Sequence, residues 1–320
     1  MALVGIARLA AESQPLESKR SVEYLEIPTR SILNRTKPNM PFQWTINPYR
    51  GCEIGCKYCY ARYTHEFMEM DPFSFEDRIY AKTAPAVLLR QELAKIDKHD
   101  HIAIGTATDP YQPAERRFER TRAILEVFAR QRGWYLSITT KGDLILRDLY
   151  LLKDIARANV LSVHITITTA DERLARLLEP RALRVELRLE TVRRLRAAGI
   201  CVAVFPNPIM PGITDSESSL DAEARAAKEA GAMSFGGGPL FLPAASQKVF
   251  LPFVEHEFPD LAARYRETFE KSVYLSRRYK DALAEKVRRI RARYQLTSGT
   301  MDYRPELWVE EEQMSLFPLT

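Results

Sequence analysis

An α/β fold organised on a parallel sheet is what this 320-residue sequence predicts. Six short apolar, β-branched runs alternate with longer amphipathic stretches, two of those stretches end in Ala-Gly, and the strand-like runs cease after Phe250. Such alternation requires crossover connections between parallel strands. Residues 1–41 come first, and Pro15, Pro28 and Pro38 interrupt any apolar period there, so an irregular N-terminal extension is expected. The predicted strands follow at 43–47, 102–106, 135–140, 160–167, 201–205 and 233–235. Helical patterns occupy 86–98, 115–130, 147–158, 171–178, 183–198 and 216–230. Gly199 and Gly231 close the last two, because glycine readily takes the left-handed conformation that ends a helix. Helical segments at 260–271 and 280–294 form a C-terminal appendage. A doubly wound sheet and an open or closed α/β barrel both satisfy this order.

The expected organisation is an extension over 1–41, the sheet domain over 42–245, a helical region over 246–298 and an acidic tail over 299–320. Hydrophobic residues at 46% and charged residues at 28% supply a full core and exclude wholesale disorder. No apolar run reaches the length of about 18 residues that a membrane helix needs, so no membrane partner is expected. The opening MALVGIARLA carries Arg8 and is followed by Glu12, Lys19 and Arg20, which is too charged for a secretory signal. A cytoplasmic location follows. The 47 Lys and Arg against 42 Asp and Glu leave a net charge of +5, too small to establish nucleic-acid binding.

Cysteine usage is sharper. Cys52, Cys56 and Cys59 fall within eight residues, in NPYRGCEIGCKYCYAR at 47–62, and Cys201 stands alone. A disulfide framework spreads cysteines in pairs, whereas three clustered thiols point to a metal or cluster. The C-x3-C-x2-C spacing suits a [4Fe–4S] cluster with three thiolate ligands and one iron left open. S-adenosylmethionine can chelate that iron through its amino and carboxylate groups, and one electron then breaks the S–C5′ bond. The competing reading is a structural zinc site completed by His65 or Cys201, in an interaction module for nucleic acid or protein without radical chemistry.

The loop, with an aromatic residue before its last cysteine, resembles the signature of the radical SAM superfamily. CYA at 59–61, GTATDPYQPAE at 105–115, TTKG at 139–142, LEPR at 178–181 and NPIMPGITD at 207–215 resemble its spore photoproduct lyase-like group, members of which are often labelled DNA repair photolyases. The likeness runs from residue 25 to 295. It implies a partial (β/α)6 barrel, a [4Fe–4S] cluster on Cys52, Cys56 and Cys59, and S-adenosylmethionine as cosubstrate. Tyr58 is implied beside the adenine, Lys141 at the carboxylate, and Thr106, Thr108, Asp109, Glu115, Thr166 and Thr168 around the cofactor. For Glu115 a helix-start charge is the equal alternative. Tyr60 matches a hydrogen-relaying tyrosine and is, with Lys141, a candidate catalytic residue. The implied partner is a one-electron reductant such as flavodoxin or ferredoxin. Thr106 stands where the lyase carries its hydrogen-donating cysteine. A hydroxyl O–H bond is too strong for that role, which argues against reversal of a thymine dimer by the lyase mechanism.

Weaker signals remain. Residues 264–293 hold eleven Lys and Arg against four Asp and Glu, so a nucleic-acid contact is a candidate there, most of all at KVRRIRAR, 286–293. The Arg-rich stretch 181–196 is a weaker candidate. The tail contains QMSLF (Gln313, Met314, Ser315, Leu316, Phe317), similar to the peptide by which bacterial repair proteins dock on the sliding clamp. His99 and His101 read as solvated loop residues and His164 as a core histidine. The substrate, nucleic acid or small molecule, is not legible.

Overall fold

The computed structural model describes residues 3–19, 22–299 and 302–308. The clamp-like segment 313–317 and the acidic residues 310–312 lie outside them. In chain order the strands are β1 (Gln14–Lys19), β2 (Val22–Ile27), β3 (Leu33–Arg35), β4 (Trp44–Ile46), β5 (Tyr49–Arg50) and β6 (Arg78–Lys82). They continue with β7 (His101–Ile104), β8 (Tyr135–Thr140), β9 (Val160–Thr166), β10 (Cys201–Phe205) and β11 (Ser234–Phe235). The main sheet runs β11-β10-β9-β8-β7-β4-β3, parallel from β11 to β4, with β3 antiparallel at the edge.

Strict alternation of side chains gives this sheet two chemically different faces. Ile102, Ile104, Leu136, Ile138, Leu161, Val163, Ile165, Val202 and Val204 face outward and join the main core with Leu89, Ile124, Leu152, Val192 and Leu220 of the crossover helices. Fully burying each such side chain stabilises by roughly 1.5–3 kcal/mol. The inward residues are mostly polar or small, with Phe205 an exception. His101 Nε2 lies 2.8 Å from Ser137 Oγ, and Thr139 meets His164 Nδ1 at 3.4 Å. His164 also packs on Phe205, with ring centroids 4.3 Å apart.

The N-terminal lead-in is not irregular. It forms a helix (Gly5–Ala11) and three strands, two of which build a second sheet in the order β1-β2-β6-β5. The helix expected over 115–130 is broken at Glu119, whose φ of 50° is left-handed, into Glu115–Phe118 and Arg120–Phe128. The C-terminal region holds helices Pro259–Lys271 and Arg277–Arg293, preceded by one that was not expected, Ala244–Glu257. Pro252 within it reads as a breaker. The helix survives because Phe250 and Val254 anchor it in the apolar cluster that also holds Cys52, Cys56 and Tyr58.

Residues 302–308 lie at the amino ends of the strands. The Leu161 N–H donates to Tyr303 Oη at 2.7 Å, and Trp308 packs edge-on against Tyr135. Cys201, the first residue of β10, belongs to this end, as the sequence suggested. Among the described residues, no helix is long and apolar enough to cross a membrane.

Candidate functional site

At the opposite edge, the segments after β4, β7, β8, β9 and β10 gather around the cysteine loop. The loop starts at Gly51, directly after β5. Its φ is +80°, and an added Cβ would lie 2.4 Å from the Arg78 carbonyl oxygen and 2.9 Å from that of Phe75. Only glycine fits so close an approach. The Cys52 N–H then donates to the Phe75 carbonyl at 3.0 Å. Thr108 Oγ1 donates to the Gly51 carbonyl at 2.7 Å, and Gln112 accepts from the Glu53 N–H at 2.9 Å. Farther along, the Lys57 N–H donates to the Leu178 carbonyl and Ser246 Oγ to that of Cys59. Arg62, fully buried, donates to the Cys56 carbonyl and pairs with Glu76 at 2.6 Å.

Cys52 and Cys56 are buried and Cys59 is half-buried. Burial pushes Cys52 well up, Cys56 up to about 12, and Cys59 up. For Cys56, Lys141 opposes this rise and Glu179 adds to it. Free thiolates are therefore disfavoured here, and a cationic centre is what would hold them deprotonated. Among the described residues, no three His, Cys, Asp or Glu side chains converge as ligands of one metal ion. Cubane corners are separate points, so the donor set fits a cluster better than zinc. The zinc reading also lacks its fourth ligand. His65 is sealed between Phe75 and Tyr80, with Nε2 3.2 Å from the Arg78 carbonyl, and Cys201 sits at the far end of the sheet.

Beside Cys56 lies a buried polar network. The Tyr58 hydroxyl meets Thr168 at 2.9 Å and donates to Glu179. Thr168 also donates to Glu179, at 2.6 Å. Arg188 closes on the other Glu179 oxygen at 2.5 Å, and Lys141 Nζ stands 3.9 Å away. Burial would raise the Glu179 carboxyl, but Arg188, Lys141 and the two hydroxyls outweigh it and hold it below its ordinary range. Burial likewise works against the Lys141 ammonium, yet Cys56 and Glu179 keep it above its ordinary value. Lys141 also lies over the Tyr58 ring, 5.9 Å from its centroid.

The sequence-predicted residues divide into two groups. Cys52, Cys56, Cys59, Tyr58, Lys141 and Thr168 lie together, Tyr58 bonded to Thr168 and lying beneath Lys141, whose charge acts on Cys56 and Cys59. Tyr60 flanks them, its hydroxyl donating to the Thr106 carbonyl, while Thr106 Oγ1 is held by Asn47 at 3.1 Å. Thr166 ends β9, and its carbonyl accepts from Arg188. Thr108 and Asp109 act as braces. Asp109 accepts from Thr140 Oγ1, the Lys141 N–H and the Tyr111 N–H at 2.6, 2.7 and 2.9 Å, which fastens the end of β8 to the segment after β7. Glu115 does not reach the polar network. Its carboxylate accepts from the N–H groups of Thr121 and Arg122 and from Tyr49, and pairs with Arg147 at 2.9 Å. It caps the first N–H groups of the Arg120–Phe128 helix.

Glu179, Arg188, Gln112 and Arg62 were not singled out. Each nonetheless lies in a segment already quoted: Glu179 in LEPR, Gln112 in GTATDPYQPAE, Arg62 at the end of NPYRGCEIGCKYCYAR and Arg188 in the Arg-rich stretch 181–196. The basic C-terminal helix is largely compensated. Arg293 pairs with Asp221, Arg289 with Glu217 and Arg288 with Glu285, and Lys286 donates to the Asp215 carbonyl. A cavity of about 140 Å³ lined by Arg264, Tyr265, Thr268, Ser276 and Tyr279 includes none of the predicted site residues.

A family model described as "Radical SAM superfamily" matches residues 46–249. An uncharacterized protein of Mycobacterium tuberculosis is 35% identical over 292 residues, 89% of this chain and 84% of that protein. An uncharacterized protein of Methanocaldococcus jannaschii is 31% identical over 201 residues, 61% of this chain and 71% of that protein. Among solved structures, spore photoproduct lyase complexed with dinucleoside spore photoproduct matches with a TM-score of 0.63 at 14% identity, over 85% of this chain and 79% of that one. A variant of that lyase with bound AdoMet and the same dinucleoside matches with a TM-score of 0.62 at 15% identity, over the same shares of the two chains. At such identity the likeness is one of fold, and it is the fold the sequence predicted.

Proposed function

The chain is an enzyme of the radical SAM superfamily, and we propose that it holds a [4Fe–4S] cluster on Cys52, Cys56 and Cys59 and uses it to activate S-adenosylmethionine for hydrogen abstraction from a substrate. The observation that carries this reading is the meeting of two buried thiols, Cys52 and Cys56, and the half-buried Cys59 with Lys141 and Glu179. When bound, the cluster supplies the electron that splits the sulfonium into methionine and a 5′-deoxyadenosyl radical.

The residues around it bind, orient and exclude water. Lys141 offers a point charge suited to the methionine carboxylate. Glu179 lies where it can accept from the amino group while Arg188 keeps it ionised. Tyr58, fixed through Thr168 and Glu179, presents a flat face to the adenine. Thr108, Gln112 and Asp109 hold the loop and the end of β8 at constant spacing. Tyr60 stands on the substrate side. Thr106 offers no thiol there, so the hydrogen returned to a product radical comes from another donor. A one-electron reductant such as flavodoxin or ferredoxin would feed the cluster.

Anaerobic reconstitution with iron and sulfide tests the reading. The expected result is a brown protein that releases 5′-deoxyadenosine from S-adenosylmethionine on reduction with dithionite. A colourless protein that retains zinc, or a cluster-loaded protein that yields no 5′-deoxyadenosine, would overturn it.

A further inference from the structure

Among the described residues, two cations near the cysteine loop, Arg50 and Lys82, have no hydrogen-bond or ion-pair partner. β5 pairs antiparallel with β6, with Arg50 opposite Tyr80. Residues directly opposite share a face, as do residues two apart on one strand. Arg50 and Lys82 therefore stand diagonally on the same face of the small sheet. Lys82 is only 5% exposed. The carboxylate that acts on Lys82, Glu92, accepts from the backbone N–H groups of Ile32 and Leu33 at 3.1 and 2.8 Å. The neighbouring cations are already matched, Arg62 with Glu76 and Arg78 with Glu23.

A buried ammonium without a counter-ion is costly, and a second cation beside it adds repulsion. The ammonium is accordingly held down to about 7, through burial and then the Arg50 charge. A planar guanidinium next to an ammonium is the pairing that suits an oxyanion with several charged oxygens. From the side of Arg50 a row of rings passes through Tyr60, the residue after Cys59. Tyr63 adjoins Arg50 and stacks on Tyr60 at 6.4 Å, Tyr60 meets Phe241 at 6.0 Å, and Phe241 stacks on Tyr274 at 4.9 Å. Tyr60 and Tyr274 are 38% and 58% exposed. Such a row offers a flat substrate a stacking surface.

We propose that Arg50 and Lys82 form a subsite for a phosphate group of the substrate, at one end of the ring row Tyr63–Tyr60–Phe241–Tyr274. The subsite rests on the radical reading for its purpose, but phosphate binding needs no radical step.

The test uses the reconstituted full-length enzyme in phosphate-free buffer. Melting temperature and affinity are measured with inorganic phosphate and with a short single-stranded oligonucleotide. Both probes are applied to the natural protein, Arg50→Gln, Lys82→Met and a surface control, Lys153→Gln. The expected result is a rise in melting temperature with phosphate or oligonucleotide, retained in the control. Either site variant should lose it, with affinity falling roughly tenfold or more. Lys82→Met should start at or above the natural melting temperature, because it removes an uncompensated charge. If Lys82→Met fails to fold, Arg50→Gln, at the sheet edge, carries the test alone. A response to oligonucleotide only assigns a nucleic-acid backbone, and a response to inorganic phosphate as well assigns a phosphomonoester. No response in the natural protein, or one that survives both substitutions, overturns the subsite. Release of 5′-deoxyadenosine is measured in the same samples, so failure of the subsite and failure of the radical reading are read separately.

Discussion

Lys141 Nζ stands 3.9 Å from Glu179 Oε1, while Arg188 holds the other oxygen of the same carboxylate at 2.5 Å. One anion is thus shared between two cations, and the trio carries a surplus positive charge inside the fold. A ligand carboxylate would neutralise it. Lys141→Met is therefore expected to weaken S-adenosylmethionine binding about tenfold, ~1.4 kcal/mol, with iron content unchanged. Equilibrium binding to the loaded protein checks this. Unaltered affinity would remove Lys141 from the cofactor site.

Arg188 and Arg288 separate buried from exposed ion pairs. Arg188 is 2% exposed, and its loss leaves Glu179 buried with one distant cation. Arg188→Met should lower unfolding stability by roughly 3 kcal/mol or more in urea titration. Arg288 pairs with Glu285 at 2.6 Å on the surface, and Arg288→Met should leave the midpoint where it was. Equal midpoints for the two variants would contradict the role given to the buried pair.

Replacing Cys52, Cys56 or Cys59 singly by alanine should abolish iron retention, whereas Cys201→Ala should retain a full complement. Gly51→Ala should behave like the first three although it removes no sulfur, because its Cβ would press on two carbonyl oxygens at 2.4 and 2.9 Å. Iron and sulfide analysis after reconstitution decides both. Full loading of Gly51→Ala would show that the loop tolerates a different path.

His65 links stability to pH. Burial, and then nearby arginines, lower it from 6.5 to about 4, against the hydrogen bond to the Arg78 carbonyl. The folded state therefore binds fewer protons than the unfolded chain between these values. Its contribution is fully present above 6.5 and is lost as pH falls toward 4. Between pH 7 and 5 the loss is roughly 2 kcal/mol. Denaturation midpoints measured across that interval should slope less in His65→Gln. An identical slope would assign the dependence to other groups.

The sequence revealed most where local pattern and burial agree. β8 and β10 match their predicted spans residue for residue, because central strands bury one whole face and carry the period clearly. β5 and β6 have no such signal. They are short, and their pairing joins segments far apart in the chain. Among the candidate site residues, the cysteines stand out by their spacing and Lys141 by the resemblance of TTKG at 139–142. Arg188 does not, because it lies in a stretch so rich in arginine that the whole reads as solvated surface. Its burial depends on Glu179, nine positions away on the preceding turn, and charge composition does not encode that partnership. Glu115 illustrates the converse: its carboxylate caps a helix that begins only after the left-handed Glu119, a break that the continuous 115–130 pattern does not reveal.

The cysteine loop is fastened from Phe75, Thr108, Gln112, Leu178, Ser246 and Arg62 through main-chain groups of the loop. The backbone path that brings the three thiols together is therefore set by amide and carbonyl contacts, so a group bound to those thiols would be exchangeable without unravelling the polypeptide that houses it.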